Sequence, residues 1–179
     1  MGEQHSEFLF DEEQRFRQWW LWGVLGIGFM ISLLVFGYGV WQQVILGKPW
    51  GNRPMSDGAL VLTATGVIAL WVVLFAMFRL IKLIVRVDDR CLHVRFWPFV
   101  NRHIPLEQIV HWGARRYNPI LEYGGWGIRF TFTKGRAYNV SGDRGVQLVL
   151  ANGKRILIGS QRADELADAI TRAKQMPRG

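Results

Sequence analysis

The chain has 179 residues, with 22 Lys or Arg against 14 Asp or Glu and a net charge of +8 at pH 7. Its single cysteine, Cys91, excludes an intramolecular disulfide and fits a reducing compartment, where a buried thiol is the ordinary state. The charge is divided unevenly: residues 1–57 carry 4 basic and 6 acidic side chains, whereas residues 79–179 carry 18 and 8.

Residues 1–18 read as an N-terminal segment on the cytosolic side. Phe8, Leu9, Phe10 and Phe16 alternate there with acidic residues. That pattern suits either an interfacial helix or a strap laid over the following domain. Residues 19–41 then run 23 positions without a charge, and residues 58–78 run 21. At about 1.5 Å per residue each covers roughly 30 Å, the thickness of a bilayer's hydrocarbon core. Backbone polar groups in lipid must pair internally, so both runs are predicted as helices. The first is too long for a cleavable signal peptide, and the segment before it is acidic.

The predicted spans are residues 19–41 and 58–82, joined by an extracytoplasmic loop over 42–57. Trp19, Trp20 and Trp22 crowd the start of the first span, and Tyr38 and Trp41 its end, as interfacial aromatic anchors. Arg79 and Lys82 are expected to close the second span and reach toward lipid phosphates. Seven Lys or Arg flank the outer ends of the pair (Arg15, Arg17, Arg79, Lys82, Arg86, Arg90, Arg95), against Lys48 and Arg53 in the loop. The positive-inside rule then places both termini in the cytoplasm. Neither run contains an ionisable residue, which disfavours a transporter or proton channel unless copies assemble around a pore. Small residues recur, with Gly28 and Ser32 four apart in one run and Thr65 and Ala69 four apart in the other. Such faces fit close helix–helix contact, within the pair or with another chain.

After the spans the pattern changes to strands. Residues 83–87 are apolar and β-branched, and Asp88, Asp89 and Arg90 form a polar turn. Leu92, Val94 and Phe96 alternate with His93, Arg95 and Trp97. Further strands are predicted over 99–104, 109–117, 128–133, 137–140, 146–150 and 154–158. Loops are predicted at 118–127, which is glycine-rich, and at 141–145. Asn152-Gly153 reads as a type I′ hairpin turn. Ala163, Leu166, Ala167, Ile170 and Ala173 have helical spacing, and Pro177 ends that helix. The remaining residues, 175–179, read as a tail.

The stretches Tyr123-Gly-Gly-Trp-Gly-Ile-Arg129, Gly135-Arg-Ala-Tyr-Asn-Val-Ser-Gly142, Gly145-Val-Gln-Leu148 and Ile158-Gly-Ser-Gln-Arg162 resemble bacterial membrane proteins with a pleckstrin-homology-like domain. The resemblance covers residues 83–174. It implies an α+β membrane protein: two transmembrane helices, then an antiparallel PH-like barrel or sandwich of about seven strands closed by a C-terminal helix. It also implies the bacterial plasma membrane as location. The acidic turn at Asp88 and Asp89 argues against a high-affinity inositol phosphate site at the first hairpin.

Arg129, Arg144, Ser160, Arg162 and Trp126 mark a candidate anion or partner site. Glycine loops expose consecutive backbone N–H groups, and a helix N-terminus adds positive partial charge. The competing expectation is that the glycines only shape turns, the arginines are solvated or pair with Glu122 and Asp143, and Trp126 packs in the core. His93, His103 and His111 match no zinc spacing. No carboxylate pair or nucleophile motif is readable, so no cofactor, metal or catalytic residue is assigned and the chain is expected not to be an enzyme. The Asn139-Val140-Ser141 sequon is irrelevant in the cytosol.

The expected role is a scaffold or accessory subunit of a membrane protein complex. Anionic lipid headgroups are expected neighbours, and a membrane protein or a second copy an expected partner. An anionic-lipid-responsive or assembly module is the alternative, and an oligomeric pore a third. Nucleic acid is not expected, because the basic residues are scattered through strands without an aromatic platform.

Overall fold

The computed structural model describes residues 8–176, which divide into two compact units. Positions 1–7 and 177–179, including Pro177 and most of the tail, lie outside the described residues.

The first unit, Arg17–Arg79, is a pair of long helices. Helix α1 (Trp19–Val40) continues through a π-helical turn at Trp41–Ile45, and α2 spans Asp57–Leu80. The apolar run thus stays helical for four residues beyond the sequence boundary at Trp41. Both helices are long and apolar enough to cross a membrane, and only 11% of each is buried inside the protein. A core helix of a soluble protein would hide most of its apolar surface. Here Val24, Ile27, Leu34, Leu62, Val72 and Val73 all face outward.

Aromatic side chains join the pair. Gly28 lies under Trp71, and a Cβ there would stand 2.5 Å from the indole Cη2. The Trp71 Nε1–H donates to Ser32 Oγ at 3.0 Å, and Ser32 Oγ–H donates to the Gly28 carbonyl at 2.9 Å. The Gly28/Ser32 face is therefore an intramolecular seat. Trp22 stacks on Phe75 at 6.1 Å, so it packs within the pair as well as marking the start of α1. Trp19, 85% exposed, does stand free of the pair. Thr65, Gly66 and Ala69 remain exposed, and Leu60 and Ala64 are buried instead. In the connector, Gln43 Nε2–H donates to the Met55 carbonyl and to Asp57 Oδ1, at 2.7 and 2.8 Å.

The second unit contains nine strands among the described residues, where about seven were expected. One sheet has the order β1-β2-β3-β4, all antiparallel: β1 Phe10–Arg15, β2 Lys82–Val87, β3 Cys91–Trp97 and β4 Val100–Pro105. The other has the order β5-β8-β9-β7-β6: β5 Ile109–Arg116, β6 Gly127–Thr131, β7 Gly135–Asn139, β8 Arg144–Leu150 and β9 Arg155–Gly159. It is antiparallel except for the parallel pair β7–β9.

The first correction lies at β1, where of the two readings, interfacial helix or strap over the following domain, the helix fails and the strap holds. Phe10, Glu12 and Gln14 point inward and Asp11, Glu13 and Arg15 outward, so the acid-rich segment has period two and is a strand, not an interfacial helix. It pairs with β2 from Phe10↔Val87 to Arg15↔Lys82. A second correction follows: α2 ends at Leu80, and Lys82 opens β2 rather than closing the span. Its ammonium lies 2.8 Å from Glu13 Oε2 instead of reaching for phosphate.

Two further differences have local causes. Asn118 turns residues 119–123 into a short helix, α3 (Pro119–Tyr123), because its side chain accepts the Ile120 and Leu121 N–H groups and Pro119 supplies a helical φ. At Asn152-Gly153 only the glycine has positive φ. The Leu150 carbonyl accepts from Gly153 N–H at 2.8 Å and Leu150 N–H donates to Lys154 O at 2.9 Å. That is a type I turn followed by a glycine bulge, not type I′.

The core runs between the sheets. Leu83, Val85, Val87, Leu92, Val94 and Phe96 from one meet Val146, Leu148, Ile156 and Ile158 from the other, nearly all with no exposed surface. Helix α4 (Ala163–Gln175) packs against β5 and β8 of one sheet and β1 and β2 of the other. Its Ala163, Leu166, Ala169, Ile170 and Ala173 are buried, and Lys174 donates to the carbonyls of Leu106 and Ile109.

Candidate functional site

The three loops expected to form an anion site do come together. Trp126 Nε1–H donates to the Gly142 carbonyl at 3.1 Å, and Gln161 Nε2–H donates to Ser141 Oγ at 3.0 Å. Trp126 is half-buried rather than a core residue. The Ser160–Gln161 turn before α4, however, already holds an anion of the chain's own. Glu12 of β1 accepts Ser160 Oγ–H on Oε2 at 2.5 Å and Gln161 N–H on Oε1 at 2.9 Å. Glu12 and Ser160 are 9% and 1% exposed, so this carboxylate is buried in the turn that leads into α4, among the loops expected to take an anion.

The arginines also have partners. Arg144 pairs with Asp164 at 2.8 Å, and Arg162 with Glu165 at 3.2 Å. Arg162 also lies over the Phe10 ring at 4.7 Å. Arg129 donates through Nε–H to the Trp126 carbonyl at 3.0 Å and stays exposed. The acids of β1 explain the pattern, because each meets the basic domain. Asp11 pairs with Arg86 at 3.1 Å, Glu12 accepts Gln161 N–H in the turn before α4, and Glu13 meets Lys82 and Arg15. Hydrogen bonds from Lys82 and Arg15 hold the Glu13 carboxyl below the usual range.

A second polar cluster surrounds Arg115. Its guanidinium meets Glu122 Oε2 at 3.0 Å and Gln147 Oε1 at 3.1 Å. The hydrogen bond from Arg115 lowers the Glu122 carboxyl, and burial raises the Tyr117 and Tyr123 phenols. Asn139 is fully buried, accepting Gly127 N–H and donating to the Tyr117 hydroxyl. Its side chain is closed to glycosylation whatever the compartment.

On the other sheet, His93 Nδ1 and His103 Nδ1 share a hydrogen bond at 2.6 Å, and His93 Nε2 meets Asp88 Oδ2 at 2.6 Å. Asp88 Oδ1 also accepts Arg90 N–H. His111 lies on β5, in the other sheet. Among the described residues no group of three or more His, Cys, Asp or Glu is placed to hold a metal. Cys91 is half-buried, and burial together with Asp88 and Asp89 pushes its thiol upward.

The strongest candidate surface was missed by the sequence reading. A cleft of about 460 Å³ opens where the β6–β7 turn, the β8–β9 turn and β4 meet. Arg102, Arg136, Lys154 and Arg155 line it together with Phe130 and Phe132. Arg102 reaches across from the first sheet, donating to the Tyr138 hydroxyl at 3.2 Å. Among the described residues no carboxylate stands within ion-pair distance of these four cations. Phe130 and Phe132 are 62% and 98% exposed and meet edge-to-face at 5.5 Å. Four of the basic residues that look scattered in the sequence are thus gathered around an exposed aromatic tip. One signal was present: Ile128, Phe130 and Phe132 occupy alternate positions, and the β6 edge leaves that row uncovered.

Comparison with family models, with curated proteins and with solved structures returns no match. The cleft and the fold therefore stand on their own geometry.

Proposed function

We propose that this chain is a two-span protein of a bacterial plasma membrane with both termini in the cytoplasm. Its β-domain acts as a non-enzymatic scaffold or accessory subunit of a membrane protein complex. The observation that carries the reading is the pairing of β1 with β2, which ends at Arg15↔Lys82. The chain leaves the sheet after Arg15, runs through two apolar helices, and resumes pairing at Lys82. Two crossings return a chain to the side it left, and such a ladder is in keeping with that return. One crossing would put β1 and β2 on opposite faces of the bilayer. The excess of Lys and Arg around the domain supports the cytoplasmic side.

Two sheets closed by α4 support a PH-like domain, and the parallel β7–β9 pair departs from the antiparallel pattern first expected. The exposed apolar edge strand β6 suits strand addition by a partner, and the exposed Thr65–Gly66–Ala69 face suits a partner helix or second copy. The cleft of unpaired cations favours a second reading, a module that responds to anionic lipid. Gentle detergent extraction of the full chain, with identification of what co-purifies, tests the scaffold role. One stoichiometric protein partner supports it, and a preparation of this chain alone at every detergent strength contradicts it.

A further inference from the structure

The Phe132 side chain is 98% exposed, and four cations without acidic partners stand around the same cleft. Apart from the Arg102 bond to the Tyr138 hydroxyl, neither feature serves the fold. An apolar ring in water gains nothing, and clustered like charges repel one another. The combination fits a surface that offers phosphate charge at one level and hydrocarbon just beneath it. We propose that this cleft binds the headgroup phosphate of an anionic phospholipid, while Phe130 and Phe132 enter the interfacial layer of the same bilayer.

Several observations favour lipid over other anionic partners. The two rings sit at the end of β6 and in the turn that follows it, so the apolar group lies at a tip, not on a flat platform. They also face each other edge-on, which leaves no parallel gap in which a base would stack. The cations approach from three elements: Arg102 from β4, Arg136 from β7, and Lys154 and Arg155 from the start of β9. They ring the aromatic tip as headgroups ring a penetrating side chain. The carboxylate of Glu122 lies 4.0 Å from Lys134 in the same turn and leaves the four lining cations unpaired. Each cation at an anionic membrane surface strengthens attachment about fivefold at physiological salt. This inference rests on the two-span reading, which brings the domain to a bilayer, and its site is separate from the loops around Trp126.

The test uses the full chain in nanodiscs of phosphatidylcholine alone, or of phosphatidylcholine and phosphatidylglycerol in equal parts. An environment-sensitive NBD dye is attached at Phe132→Cys in a Cys91→Ser background. Vesicles of each composition are added to the neutral discs, so that the protein's own bilayer and an apposed one are both offered. Stable incorporation into discs reads the two-span claim separately from the dye. The expected result is a blue shift of the dye with phosphatidylglycerol, in the discs or in the vesicles. About 1 M salt, where the Debye length is about 3 Å, should remove it. The triple change Arg136→Gln, Lys154→Gln, Arg155→Gln keeps the Arg102–Tyr138 bond and should weaken the lipid response about a hundredfold. Changing Arg116 and Arg172 to Gln, away from the cleft, should leave it intact. A dye that stays in water with both lipids overturns the proposal, as does a shift indifferent to charge and salt. A shift with a single-stranded oligonucleotide or an added protein, but none with phosphatidylglycerol, also overturns it.

Discussion

Replacing Glu12 by Ala should loosen the β-domain at a point distant in sequence from its core. Glu12 accepts two hydrogen bonds at the start of α4, from a hydroxyl that is 1% exposed and from the Gln161 backbone. A hydrogen bond to a charged group contributes about 1.5–3 kcal/mol. A carboxylate at a helix N-terminus adds about 0.3–1 kcal/mol. Ser160 Oγ retains one contact, accepting Arg162 N–H at 3.0 Å, so the two bonds are not lost additively. The expected loss is about 3 kcal/mol, with about half that for Glu12→Gln, whose amide keeps one acceptor. For a domain of this size that lowers Tm by about 12 °C or more. Hydrogen exchange of the full chain in nonionic detergent reads the effect locally, as faster exchange in β1 and the first turn of α4. A Glu12→Ala protein within about 0.5 kcal/mol of the parent, with unchanged exchange in both segments, would refute the assignment of Glu12 as the anion that fixes the turn into α4.

Three further outcomes follow from the geometry. Gly135→Ala should cost about 3 kcal/mol or prevent folding, because the new Cβ would stand 2.2 Å from the Arg155 carbonyl; equilibrium unfolding of the purified chain measures it. Glu122→Gln should destabilise by about 1–2 kcal/mol at neutral pH through its partly buried pair with Arg115. Because the folded carboxyl is lowered, that contribution is full above about pH 4.3 and fades as pH falls through the lowered value. The stability gap between parent and variant, followed from pH 7 to pH 3, should therefore close on the acid side. Gly28→Leu should separate α1 from the Trp71 indole, and a disulfide cross-link engineered between the helices should then form more slowly than in the parent.

What the sequence revealed depended on whether the signal was local. The two apolar runs were legible because length and the absence of charge need no partner. β3 and α4 were legible because their own periodicity names a buried face, and β2 because its apolar, β-branched run marks extended chain. β1 was not, since its inward residues alternate an aromatic with Glu12 and Gln14, and a polar inward face makes sense only beside Ser160 and Gly159, some 145 residues away. Asp11 and Glu13 likewise gain a role only beside Arg86 and Lys82, which are some 70 residues away. The predicted loop site was legible as a neighbourhood but not as an occupied one, for the same reason. The cleft escaped notice because Arg102 comes from β4, Arg136 from β7, and Lys154 and Arg155 from the junction of the β8–β9 turn with β9, and the parallel β7–β9 pairing that gathers three of them leaves no mark on any local pattern.

The two-span topology is the claim on which the rest depends, and cysteine accessibility in intact cells tests it most directly. In a Cys91→Ser background, a cysteine at Arg53 in the connector and another at Lys154 in the β-domain are exposed to a membrane-impermeant maleimide. The account predicts labelling at position 53 in intact cells and at position 154 only after the membrane is opened. Labelling of position 154 in intact cells, or the release of the unlabelled chain by alkaline extraction, would contradict it.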